Sequence, residues 1–146
     1  MSPETLNWLE ANGYTKTDLD LQGGYGNTAL MKASREGRAE TVAELLEAGA
    51  DVHIKNVDGN TALWLACFSD TPEIVALLVR SGVELDNVNA AGATSLMYAA
   101  SSGKEEMVRV LLQAGADPTI ANPDDFTALD LAATPKILRM LPKGAA

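Results

Sequence analysis

Few side chains in this sequence could carry a reaction. Among its 146 residues there is one histidine, His53, and one cysteine, Cys67. A lone imidazole rules out a multi-histidine metal cluster and any mechanism that passes a proton between two imidazoles. No Ser, Thr or Lys is tied to His53 by a recognisable nucleophile motif, so a solvated loop residue is the expectation. Gly23-Gly24-Tyr25-Gly26 has the glycine density of a phosphate-binding loop. No Lys-Ser or Lys-Thr follows it and no strand precedes it, so it reads as a turn tip. Asp58-Gly59 and Asp124-Asp125 lack the alternating oxygen ligands and closing Glu of a calcium loop, and they too read as turns. Glu36, Glu40, Glu44 and Glu47 lie at helical spacing among Lys32, Arg35 and Arg38, the pattern of a solvated, self-paired face.

The elements that hold these residues follow from an internal period. Thr28, Thr61, Thr94 and Thr127 are spaced 33 apart, as are Leu30, Leu63, Leu96 and Leu129, and Ala33, Ala66, Ala99 and Ala132. Later in each unit come Val42, Val75 and Val108, then Leu45, Leu78 and Leu111, then Gly49, Gly82 and Gly115, then Asn56, Asn89 and Asn122. Each unit predicts a helix, a turn, a second helix and a loop. The Thr hydroxyl can accept from the free N–H groups of the first helix's opening turn. The second helix carries a Val/Leu stripe at i, i+3 and i+4, and Gly49, Gly82 or Gly115 ends it in a left-handed conformation. In this register Cys67 shares a slot with Ser34, Ala100 and Ala133. The slot calls for a small side chain, and with no basic group in the motif to favour a thiolate, a buried inert thiol is expected.

The runs Gly26-Asn27-Thr28-Ala29-Leu30, Gly59-Asn60-Thr61-Ala62-Leu63 and Gly92-Ala93-Thr94-Ser95-Leu96, with Leu45-Leu46-Glu47-Ala48-Gly49-Ala50-Asp51 and Leu111-Leu112-Gln113-Ala114-Gly115-Ala116-Asp117, resemble ankyrin repeats over about residues 23–134. The resemblance implies an all-α solenoid of L-shaped units, each with two antiparallel helices and an outstretched β-hairpin. It also departs from the family pattern. Thr-Pro-Leu-His appears here as Thr28-Ala29-Leu30-Met31, Thr61-Ala62-Leu63-Trp64, Thr94-Ser95-Leu96-Met97 and Thr127-Ala128-Leu129-Asp130. The His that bonds neighbouring hairpins in the family is therefore missing. Asp70 stands where Gly37 and Gly103 close the first helix, so the middle unit is expected to have its own inter-helix turn.

Three full repeats are expected, 23–55, 56–88 and 89–121, within a single domain 1–146. Caps must close both ends, because a terminal unit otherwise leaves an apolar face in water. Residues 1–22 predict a capping helix with Ser2 as N-cap, Pro3 at its first position, Leu6 and Leu9 facing inward and Gly13 as its stop, followed by a long connection. Residues 122–146 predict a second cap, in which Thr127 opens a helix, Pro135 breaks it, and Ile137, Leu138 and Leu141 form a short closing helix.

The resemblance also places the working face. Family partners contact the hairpin tips and the open side of the first helices, which together line the concave side of the solenoid. Carried over, those positions give Tyr25, Asn27, Lys32 and Arg35 in the first unit, and Val57, Asn60, Leu65, Phe68 and Ser69 in the second. The third unit gives Ala91, Tyr98 and Ser101, and the C-terminal cap gives Phe126. Aromatics are only 5% of the chain, yet Tyr25, Phe68, Tyr98 and Phe126, with Leu65, fall on these positions and predict an apolar stripe across successive units.

Composition sets the remaining bounds. At 47% apolar and 21% charged, the chain has the make-up of a globular protein, and its formal charge of −9 repels phosphate backbones and anionic lipid. Five acids against Arg80 alone give repeat 56–88 the largest share, −4. Nucleic-acid and membrane partners are not expected, and no cofactor is implied. A lone cysteine and the absence of a visible signal peptide point to the cytoplasm. The expectation is a monomeric, non-catalytic module that binds another protein through its concave face. An inhibitor or assembly factor acting through the same face is the alternative, and an enzyme using Cys67 or His53 is the remote one.

Overall fold

A computed structural model describes residues 1–142. The expected helix pairs form in order: α1 (Pro3–Ala11), α2 (Ala29–Arg35), α3 (Ala39–Glu47), α4 (Ala62–Phe68), α5 (Pro72–Arg80), α6 (Ser95–Ser101), α7 (Glu105–Ala114), α8 (Ala128–Leu131) and α9 (Pro135–Met140). First helices pack as one layer, α2 on α4, α4 on α6 and α6 on α8. Second helices pack as another, α3 on α5, α5 on α7 and α7 on α9. The core is thus a row of interfaces between units, and Ala33, Ala66 and Ala99 are buried where the first helices meet. Val42 and Leu45, Val75 and Leu78, and Val108 and Leu111 fill the second layer without exposure, while Leu46, Val79 and Leu112 flank them half-buried.

The threonine caps hold at three of four positions. Thr28 accepts from the Met31 N–H at 3.3 Å, Thr61 from Leu63 at 3.4 Å and Thr94 from Met97 at 3.2 Å. At the fourth, the Thr127 hydroxyl instead donates to Asp130 at 3.1 Å, and the same carboxylate accepts from the Thr127 N–H at 2.9 Å. Asp130 replaces an apolar residue of the other units and brings its own acceptor. Asp70 adopts φ 58° where Gly37 and Gly103 adopt 71°, so the middle unit makes the same turn as its neighbours rather than one of its own. Asp is among the few side chains that tolerate this region.

Both caps differ in detail from expectation. In α1, Ser2 accepts from the Thr5 N–H at 3.2 Å, but the inward face is Thr5, Trp8 and Leu9, with Leu6 only half-buried. At the other end Pro135 starts α9 rather than breaking α8, with Thr134 as the cap accepting from Ile137 at 3.1 Å. The short α8 already ends at Leu131, where Ala132 turns extended at ψ 120°. Ile137 and Leu141 are buried and Leu138 is exposed; residues 143–146 of the expected cap lie outside the described residues.

The expected β-hairpins are reduced to tight turns. Among the described residues no strand forms, and Thr15–Asp18 is an isolated bridge. A backbone bond spans each tip, from Gly23 to Asn27 at 2.8 Å, Asn56 to Asn60 at 2.9 Å, Asn89 to Ala93 at 3.0 Å and Asn122 to Phe126 at 2.8 Å, and a second returns to the carbonyl of Gly23, Asn56, Asn89 or Asn122 from the residue three places on. The Asn side chains organise these turns, each Oδ1 accepting two N–H groups of its own tip: Asp58 and Asn60 on Asn56, Ala91 and Ala93 on Asn89, Asp124 and Phe126 on Asn122. Backbone bonds then join neighbouring tips without the family's histidine, from the Val57 N–H to the Tyr25 carbonyl at 3.0 Å and from Ala90 to Asp58 at 2.9 Å. The next residue in that register is Pro123, which has no N–H to give.

Candidate protein-binding face

The tips and first helices leave a furrow along one side of the chain. Its first groove, about 430 Å³, is lined by Asn12, Tyr14, Gly24, Tyr25, Asn27, Lys32, Arg35, Glu36 and Phe68. A second of about 300 Å³ shares Tyr25, Asn27 and Arg35 with it and adds Asn56, Asp58 and Leu65. A third of about 480 Å³ lies between the second and third tips, against Asp58, Asn60, Trp64, Asn89, Ala90 and Ala91.

Tyr25 is the most exposed large side chain of the face, at 77%, and its backbone sits at φ 58°. An aromatic residue is rarely held in that region, so the turn carries strain to present this ring. Phe68 is 48% exposed at the end of α4, with the Arg35 guanidinium 5.3 Å from its ring centroid. Phe126, also 48% exposed, stands apart on the last tip. Val57 and Ala91 are exposed at their tips, as is Ser101 at the end of α6, while Asn27, Lys32 and Ser69 are half-buried.

Two of the expected face residues are buried. Leu65 is 8% exposed, packed into the layer of first helices, and Asn60 is 6% exposed beneath its tip. Neither offers appreciable surface to a partner. Tyr98 is half-buried because its ring stacks on Trp64, with centroids 4.6 Å apart and planes inclined by 24°. The apolar stripe is therefore not continuous. It consists of Tyr25 with Phe68, then the Trp64–Tyr98 stack, then Phe126. Lys104 reaches across the stack, 5.8 Å from the Tyr98 centroid, and its Nζ donates to the Phe68 carbonyl at 3.0 Å.

Sequence reasoning missed Trp8 and Tyr14, both in the N-terminal cap. Trp8 Nε1 donates to Glu36 Oε1 at 3.1 Å, and Arg38 Nε donates to the same oxygen at 2.9 Å. Lys32 Nζ lies 3.6 Å from Oε2. Burial pushes the Glu36 carboxyl up, but the hydrogen bonds from Arg38 and Trp8 and the charges of Lys32 and Arg38 outweigh it and hold it below its ordinary value. Glu44 lies lower too, held by the Thr5 hydroxyl and then by the Ser2 N–H. Two carboxylates of the first repeat thus fasten α1 beside the first groove. A Trp in an amphipathic capping helix, with Glu36 and Glu44 in the first repeat that it must cover, was the available signal.

His53 and Cys67, the two residues considered for catalysis, line none of the three grooves. His53 is exposed on a loop, its N–H donating to Asp51 at 2.8 Å. Cys67 is wholly buried, and burial pushes its thiol up to about 12, which leaves essentially no thiolate at neutral pH. Among the described residues no helix is long and apolar enough to cross a membrane.

Stacked helix pairs that contact only their neighbours define a helical-repeat solenoid. A family model of ankyrin repeats matches this chain in three overlapping copies, over residues 2–89, 30–122 and 73–145, and the chain belongs to the ankyrin-repeat family. Its members are in general protein-interaction modules.

Proposed function

We propose that this chain is a non-catalytic module that holds another protein along the furrow of tips and first helices, with Tyr25, Phe68 and the Trp64–Tyr98 stack as its apolar anchors. The observation that carries this reading is the first groove, where two exposed aromatic rings flank an arginine on a rigid helical layer. Aromatic and Arg side chains are the residues that most often dominate interface energies. The buried thiol supports the absence of cysteine catalysis and fits a reducing compartment such as the cytoplasm.

The experiment is calorimetry of a protein captured by the wild-type chain against the Phe68→Ala, Tyr98→Ala double variant, with circular dichroism as the folding control. A loss of about 2 kcal/mol or more is expected. Unchanged affinity in a folded variant would remove this face from the interface.

A further inference from the structure

We infer that the first groove receives a carboxylate side chain, Asp or Glu, of the protein partner, gripped by Arg35 between Tyr25 and Phe68. The inference rests on the proposed reading that this face binds a protein, and it specifies what chemistry enters the groove.

Three observations carry it. Among the described residues, no carboxylate lies within ion-pair distance of Arg35, whose guanidinium rests against the Phe68 ring. The acid beside it, Glu36, is already committed to Trp8, Arg38 and Lys32. Asp58 lines the adjoining groove but forms no ion pair with Arg35. A planar guanidinium with its donors unspent matches a carboxylate in two parallel N–H···O bonds. Arg35 is exposed beside the Phe68 ring, so those donors are open to an incoming carboxylate.

The walls also say what must flank the acid. Tyr25 and Phe68 line the groove as exposed aromatic side chains, so the acid has an apolar neighbour in sequence. The chain as a whole carries −9, which repels a partner that is acidic throughout. The fitting segment is therefore one acid beside an apolar residue, with Lys or Arg further along toward Asp58. This is local complementarity set inside an opposite overall field, and it selects for a bipolar segment.

The test selects a phage-displayed library of random dodecapeptides on the full chain. Enriched peptides are synthesised and titrated by calorimetry and by NMR of the Arg35 Nε–H group. Peptides with an Asp or Glu next to an apolar residue are expected. Arg35→Gln should weaken them about tenfold or more, Arg35→Lys should recover only part of that, and changing the peptide's acid to its amide should have no further effect on Arg35→Gln. The Arg35 Nε–H resonance should move with the acid peptide and stay in place with the amide.

Failure of this inference is separable from failure of the reading beneath it. Peptides that lose affinity with Phe68→Ala but ignore Arg35→Gln overturn the carboxylate and leave the face standing. Peptides indifferent to both changes overturn both. An empty selection also overturns the carboxylate, while calorimetry of the captured protein decides the face independently. The peptide's acid-to-amide change leaves the chain untouched, so the result does not depend on how a variant folds.

Discussion

The phenol of Tyr14 donates to the backbone carbonyl of Asn27 at 2.7 Å, tying the cap's connection to the first tip. The relationship explains why Gly23 occupies the register of Asn56, Asn89 and Asn122. In those tips an Asn side chain holds the turn from within. In the first tip a Cβ on Gly23 would stand 3.0 Å from the Tyr14 hydroxyl, so the ring from the cap replaces the missing Asn from outside. The strained Tyr25 rests on a turn braced this way.

Tyr14→Phe should cost about 1 kcal/mol, because the Asn27 carbonyl keeps its bond from Gly23. Gly23→Asn alone should be destabilising, since the phenol must give way. Combined with Tyr14→Phe it should recover about 1 kcal/mol relative to additivity, because the new Asn side chain gains both the space and the turn. Urea unfolding of the four proteins measures this, and strict additivity would show that ring and Asn do not substitute for one another.

The last tip is joined by packing rather than by a backbone bond. At Gly92, φ is 82°, and a Cβ would come within 2.2 Å of Pro123 Cδ. Gly49 has φ 96° but open space around it. Ala at Gly49 should therefore pay only the left-handed strain of about 1–2 kcal/mol. Ala at Gly92 should pay that and about 1–3 kcal/mol more for overpacking. Equal destabilisation by the two variants in chemical unfolding would contradict the account.

Acid should release α1 before the repeats melt. Glu36 and Glu44 both have folded-state values below their unfolded ones. Each therefore contributes stability that is fully present above the ordinary carboxylate range and is lost as pH falls through the folded-state value. With Trp64→Phe leaving Trp8 as the single tryptophan, its emission should shift red on acidification ahead of the loss of helical circular dichroism. Glu36→Gln with Glu44→Gln should flatten that early step. A single coincident transition in both proteins would mean that α1 does not move separately.

Cys67 should resist thiol reagents at neutral pH until the chain unfolds. Its folded value of about 12 lies above the ordinary 9.0. Between those values the unfolded chain has lost the proton and the folded chain holds it, so the thiol's contribution, complete below 9, falls as pH rises through this window. Cys67→Ala, matching Ala100 one repeat on, should weaken the decline between about pH 9 and 11. Rapid labelling of the native protein near pH 7 would refute the burial argument.

The repeat, its helix pairs, its threonine caps and its acidic middle unit were legible because each rests on local rules repeated at 33-residue steps. A capping hydroxyl or a helix-stopping glycine acts within a turn of its own position, and repetition turns weak signals into a firm one. The period also placed Arg35 one step before Phe68, so their contact followed from the register.

Exposure did not follow from register. Lys32, Leu65 and Tyr98 hold one position in three successive units, yet Leu65 is buried and Tyr98 is half-covered. Trp64 covers Tyr98 by stacking on it from the preceding unit. The rotation of α1 was equally hidden. It lies outside the period, and the groups that orient it, Glu36 and Glu44, are 28 to 42 residues away from the donors they engage. What a 33-residue pattern determines is where each backbone position sits in the stack. Which side chains remain free for a partner depends on the sizes and charges of neighbours that only the tertiary structure brings together.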